Sequence, residues 1–135
     1  MAKFDLIGLG NALVDSEFHV TDSFLKKKGF EKGTMHLVDS DEQTNLLNSL
    51  EKEYGKPSLA CGGSATNTIF AASILGSSCS YICKVGNDKN GNFYLDDLSD
   101  AGVNIDHSVM LDSNINSGTC TVMVSPDAER TMSTC

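Results

Sequence analysis

From Ser40 to Gly102 the sequence alternates short apolar runs with helix-like stretches that close on glycine, and this alternation restricts the fold more than any other feature. Ser40 with Gln43 three residues later forms a capping box. Asp41 and Glu42 sit in the first turn, Leu46, Leu47 and Leu50 share a face, and Gly55 follows, so a helix is predicted over 41–53. "SLAC" reads as a strand, "GGSATNTIFAASILG" (62–76) as a glycine-led helix and "SCSYICKVG" as a strand. Residues 91–101 read as a helix with Phe93, Leu95 and Leu98 apolar and Gly102 as its stop. Near the N-terminus, "KFDLIGLG" is almost continuously apolar and ends in glycine, the pattern of a buried strand. Strands and helices alternating at this spacing predict right-handed crossovers onto a parallel sheet.

The flanking segments have another character. "EFHV", a short helix from Asp22 to Lys28 and "TMHLVD" are brief enough to form a small sheet of their own. From Asn104 onward, "IDHSVML", "TCTVMVS", the turn "PDAE" and "RTMSTC" read as consecutive strands. The sequence stops inside the last of these, which suggests a larger fold continuing past Cys135.

Composition supports a single packed globular domain: 135 residues, 40% hydrophobic and 21% charged. A net charge of −8 argues against nucleic acid or an anionic membrane as a partner. The basic run Lys26 to Lys28 precedes Gly29 and reads as a solvated helix end. No apolar run reaches the length of a membrane span and "MAKFDLIGLGNA" lacks the order of a signal peptide, so a cytoplasmic protein is expected. Cys61, Cys79, Cys83, Cys120 and Cys135 include no C-x-x-C pair and read as buried reduced thiols. His19, His36 and His107 are scattered without metal-ligand spacing, and no nucleophile signature is present, so neither a metal site nor a triad is expected.

In open parallel sheets, ligands gather at the carboxyl ends of the strands. The loop after "LIGLG" carries Asn11 and Asp15, an amide and a carboxylate able to hold a vicinal diol, or alternatively to cap a turn locally. After "SLAC", Gly62 and Gly63 let a ligand approach the backbone where the next helix begins, and Asn67 lies in its first turn. The competing reading is tight helix-to-sheet packing with Ser64 as N-cap. Gly8-x-Gly10 begins a dinucleotide fingerprint, but Leu13 stands where the third glycine belongs, so a nicotinamide enzyme rests on two glycines alone. Asp88, before "KNG", reads as a turn or helix cap.

The run "GGSATNTIFAASILGSSCSYICKVGNDKNGNFY" resembles the N-terminal signature of the ribokinase-like (PfkB) sugar and nucleoside kinases. "GLGNALVD", "KGTMHLVD" and "PDAERTM" are most similar to its adenosine-kinase branch. The resemblance covers essentially the whole chain. It implies a ribokinase-like three-layer α/β/α core with a small β-sheet lid, of which the N-terminal half is present. Residues 1–15 and 40–105 would belong to the core and 16–39 and 106–125 to the lid. Residues 126–135 would return towards the core, and the C-terminal ATP-binding and catalytic half would be absent. By the same resemblance Asn11 and Asp15 hold ribose hydroxyls, while Gly62, Gly63 and Asn67 close over the same sugar. Arg130 matches an arginine near the end of the lid sheet and receives no role.

The cofactors implied are ATP and Mg, bound mainly by the C-terminal half, so this chain is assigned no catalytic residue and is not expected to turn over alone. The implied function is the substrate-binding and lid half of a kinase that phosphorylates a hydroxyl of a ribose-containing, adenosine-like nucleoside or sugar, with a homodimer through the lid as a possible assembly. The alternative is a non-catalytic module that binds a small sugar or a partner protein.

Overall fold

The computed structural model describes residues 3–106 and 110–135; residues 107–109, part of the expected strand "IDHSVML", lie outside the described residues. The class is α/β, as expected. The chain separates into two units, residues 1–14 with 60–118 and residues 15–59 with 119–135.

In the first unit, β1 (Leu6–Leu9) runs parallel to β5 (Cys79–Ile82), from Leu6 opposite Cys79 to Leu9 opposite Ile82. Helix α3 (Ser64–Ile74) packs on both strands. The approach is close because Gly8 has no side chain: a Cβ there would lie 2.4 Å from Ile69 Cγ1 and 2.8 Å from the Tyr81 ring. Helix α4 (Lys89–Asp100) buries Tyr94, Leu95 and Leu98 in a core shared with Val14, Ile69 and Tyr81. Two short strands, β6 (Val85–Gly86) and β7 (Leu111–Asp112), pair in parallel before it and after it.

The expected buried first strand is largely exposed: Ile7 is 61% and Leu9 76% accessible. Its ladder has two strands among the described residues and α3 covers one side, so apolar residues facing the other way meet solvent. "SLAC" does form a strand, β4 (Ser58–Gly62), but it does not lie beside β1; it closes the edge of a second sheet.

That second sheet has the order β3 (Met35–Leu37), β9 (Arg130–Thr134), β8 (Gly118–Val124), β2 (Leu13–His19), β4. β8 and β9 form an antiparallel hairpin, with Met123 opposite Thr131. At its turn, the Ser125 hydroxyl donates to Asp127 Oδ1 at 2.8 Å. Helix α1 (Asp22–Lys28) starts under the Thr21 side chain and ends at Gly29, φ 77°, with its three lysines in the last turn, as the sequence indicated.

Helix α2 (Ser40–Tyr54) is capped one residue earlier than expected. Asp39 Oδ1 accepts from the Glu42 backbone N–H at 2.8 Å, and Glu42 answers from its own carboxylate. Asp39 adds a charge that favours a helix N-terminus, and this register releases Gln43 into the interior. There its amide donates to Thr121 Oγ1 at 3.0 Å and accepts from the Ser133 hydroxyl at 2.9 Å. Leu46 and Leu50 join Phe18, Val20, Phe24, Leu25 and Met123 in one core.

The two units divide the chain at other residues than those expected for core and lid. Residues 40–59, assigned to the core, fold with the small sheet because the apolar face of α2 packs there. Residues 110–118, expected in the lid, group with the first unit, and residues 130–134 form β9 of the second sheet. Val14, Phe18 and Val20, all at even positions, are buried, and β2 begins at Leu13, so Asp15 stands on a strand and not in a loop.

Candidate substrate site

The loop after β1 lies against the start of α3. A Cβ on Gly10 would sit 2.8 Å from Ala65 Cβ and 2.7 Å from Tyr81 Oη, and a Cβ on Gly63 would sit 2.6 Å from the Asn11 carbonyl oxygen. Gly63 is the residue that caps α3, with φ 104° and no side-chain hydrogen bond to the helix; Ser64, the cap in the competing packing reading, is the first helical residue. The structure thus brings Asn11, Gly62 and Gly63 together. It sets Asn67 one turn into the helix, its N–H donating to the Gly63 carbonyl at 2.9 Å and its side chain on the exposed surface. Positive φ and the neighbouring carbonyl account for glycine at 63. Part of the room left by its missing side chain is taken by the chain itself.

Beside this junction is a cleft of about 510 Å³, lined by Gly10, Asn11, Ala12, Lys84, Ile115 and Asn116 among others. That volume suits a small organic ligand. Among the described residues Lys84 is the one cation lining it, and its Nζ lies 2.6 Å from Asp112 Oδ2, so its charge is already matched. Cys83, also on the cleft, is pushed up to about 11 by burial and stays an inert thiol.

Asp88 does more than cap α4. Its carboxylate accepts from Gly91 N–H at 2.7 Å and from both the N–H and the hydroxyl of Ser117, each at 2.8 Å; the same hydroxyl accepts from Gly86 N–H at 3.0 Å. Burial alone would raise this carboxyl, but the converging donors outweigh it and hold it below the usual range. The tie fixes the segment that carries Ile115 and Asn116 as a wall of the cleft. Sequence reading found the cap and missed the tie, because Ser117 lies 29 residues away. The available signal was glycine at 86, where a Cβ would lie 2.5 Å from the Ile115 carbonyl oxygen.

Asp15 belongs to the second unit, where it is half-buried on β2. Burial raises its carboxyl above the ordinary 3.8, Arg130 draws it partly back, and Glu17 pushes it up again. Arg130, without a role from sequence, is the cation of this group, 4.0 Å from Glu17. Among the described residues there is no group of three or more His, Cys, Asp or Glu side chains able to hold a metal, and no helix is long and apolar enough to cross a membrane.

The profile of the pfkB family carbohydrate kinases matches residues 34–135, three quarters of the chain. The chain belongs to the pfkB carbohydrate kinase family. Within the pfkB kinases it is 30% identical over 122 residues to adenosine kinase 2 of Arabidopsis thaliana, and 37% identical over 68 residues to a ribokinase of Dictyostelium discoideum. The crystal structure of adenosine kinase from Sinorhizobium meliloti superposes with a TM-score of 0.79 at 33% identity, over 98% of this chain. The chain spans 34% of the Arabidopsis enzyme, 21% of the Dictyostelium one and 39% of the Sinorhizobium one.

Proposed function

We propose that this chain supplies the acceptor-binding part of an ATP- and Mg-dependent kinase that phosphorylates a hydroxyl of a ribose-containing nucleoside or related sugar. The observation that carries this reading is the packing of Gly10 and Asn11 onto the start of α3. It sets the Asn11 main chain against the start of α3, which has no side-chain cap, at the edge of a cleft of about 510 Å³ that Asn11 also lines. Asn11, Gly62, Gly63 and Asn67 are the proposed ligands in the first unit. Asp15 enters by family resemblance, as a carboxylate acceptor for a sugar hydroxyl.

A neutral, polyhydroxylated acceptor fits this cleft better than a triphosphate, since Lys84, the one cation lining it among the described residues, is committed to Asp112. ATP and Mg are therefore assigned to the remainder of a family-length protein, where the phosphoryl group to be transferred would be held and its charge neutralised. The role of these residues is to fix the accepting hydroxyl and to exclude water from it. Of the five cysteines expected to be buried, Cys79, Cys83 and Cys120 are, whereas Cys61 is half-buried and Cys135 exposed; the three buried thiols suit a reducing cytoplasm, which is the proposed location.

The test is a coupled kinase assay of the full-length gene product with ATP and Mg, against adenosine, inosine, guanosine, ribose and other free sugars. Adenosine or a close analogue is expected to be phosphorylated. Asn11→Ala is expected to raise its KM about 10- to 100-fold. No phosphorylation of any panel member, or an unchanged KM in Asn11→Ala, would overturn the proposal.

A further inference from the structure

Three hydroxyls with no access to solvent meet beneath the Gly62-Gly63 turn. Thr66, Tyr81 and Tyr94 are each 0% exposed. Thr66 Oγ1 donates to Tyr81 Oη at 2.8 Å and is in hydrogen-bond contact with Tyr94 Oη, which donates to the Gly62 carbonyl at 3.3 Å. Each hydroxyl has one proton. With that of Thr66 committed to Tyr81, the Tyr94 proton is divided between Thr66 and the Gly62 carbonyl. Burial pushes the Tyr94 phenol far above its ordinary value, so it remains a donor at any physiological pH.

The group touches both halves of the junction described above. Tyr81 Oη occupies the space a side chain on Gly10 would take, and Thr66 Oγ1 lies 3.2 Å from where a Cβ on Gly63 would be. The same core holds apolar Ile69, Val85, Leu95 and Leu98. Three polar groups in such surroundings are stable because each has a hydrogen-bond partner, and their geometry is correspondingly fixed.

We propose that the Thr66–Tyr81–Tyr94 hydroxyl network is a positioning element that holds the Gly62-Gly63 turn at the height at which Asn11 and the first turn of α3 meet the sugar. The inference rests on the acceptor-binding reading and adds three residues that do not touch the substrate. They act through the Gly62 carbonyl and through the backbone of Gly10 and Gly63. Affinity, rather than the chemical step, is what such a support controls.

The experiment compares the full-length protein with Tyr94→Phe, Thr66→Val and Thr66→Ser, reading KM and kcat for the best acceptor of the wild type. Tyr94→Phe and Thr66→Val are expected to raise KM about 5- to 30-fold with kcat within about twofold, and Thr66→Ser, which keeps the hydroxyl, is expected to restore KM. Ile69→Val serves as a control that trims the same helix without touching a hydroxyl; it is expected to lower stability and leave KM unchanged. Wild-type KM in both hydroxyl-deletion variants, or an equal rise in Ile69→Val, overturns the proposal. Should the wild type phosphorylate no acceptor, the acceptor-binding reading fails by itself. The network is then judged by hydrogen exchange at the amides of residues 64–67: faster exchange in Tyr94→Phe than in Ile69→Val supports it, and equal exchange overturns it.

Discussion

The backbone N–H and the side-chain hydroxyl of Ser117 both donate to Asp88, each at 2.8 Å, so one carboxylate fixes a segment 29 residues away as well as the start of α4. Replacing Asp88 by Asn turns one acceptor oxygen into a donor that faces backbone N–H groups. Unfolding by denaturant is expected to show a loss of about 1–3 kcal/mol. The pH dependence has a definite sign. Because the folded-state carboxyl lies below its ordinary 3.8, its contribution is fully present above that value and is lost as pH falls through the folded-state value. The gap between wild type and Asp88→Asn should therefore close in acid, and a gap that persists would contradict the hydrogen-bond account.

Gly63 adopts φ 104°, and the Asn11 carbonyl oxygen lies 2.6 Å from where its Cβ would be. Gly63→Ala combines a strained backbone with a collision against main chain that no rotamer change relieves. A destabilisation of about 2–4 kcal/mol is expected from thermal or denaturant unfolding, together with loss of acceptor binding.

Asp15 carries the opposite linkage. Burial raises its carboxyl, so its charged form weakens the fold at neutral pH. Stability from this group grows as pH falls through the folded-state value towards the ordinary 3.8. Asp15→Asn is expected to melt at a higher temperature than wild type near pH 7, with the difference shrinking in acid, while acceptor affinity falls about 10- to 100-fold. Higher stability with unchanged affinity would remove Asp15 from the proposed acceptor-binding residues.

Gln43 joins α2 to two strands of its sheet through Thr121 and Ser133, and all three side chains are buried. Gln43→Leu keeps much of the volume but leaves both hydroxyls short of a partner. Its expected cost is about 2–4 kcal/mol in denaturant unfolding, with acceptor KM unchanged if the folded state is retained.

What the sequence determined by itself is local. Glycine after lysines ended α1, the apolar spacing of Leu46 and Leu50 placed α2 to within two residues, and "PDAE" marked the hairpin between β8 and β9. Asn11, Gly62, Gly63 and Asn67 were identifiable as candidates because residue type and position at strand ends constrain chemistry before any contact is known. The tertiary structure decided which strands pair and where each polar group spends its hydrogen bonds. β4 joined the small sheet although its sequence suits either, since a short apolar strand carries no record of its neighbour. Asp39 displaced Ser40 as the cap because Gln43 found Thr121 and Ser133, 78 and 90 residues further on. Asp88 with Ser117, and Thr66 with Tyr81 and Tyr94, were illegible for the same physical reason: periodicity reports which face of an element is apolar, whereas a hydrogen bond between distant residues exists once the chain has closed the loop between them.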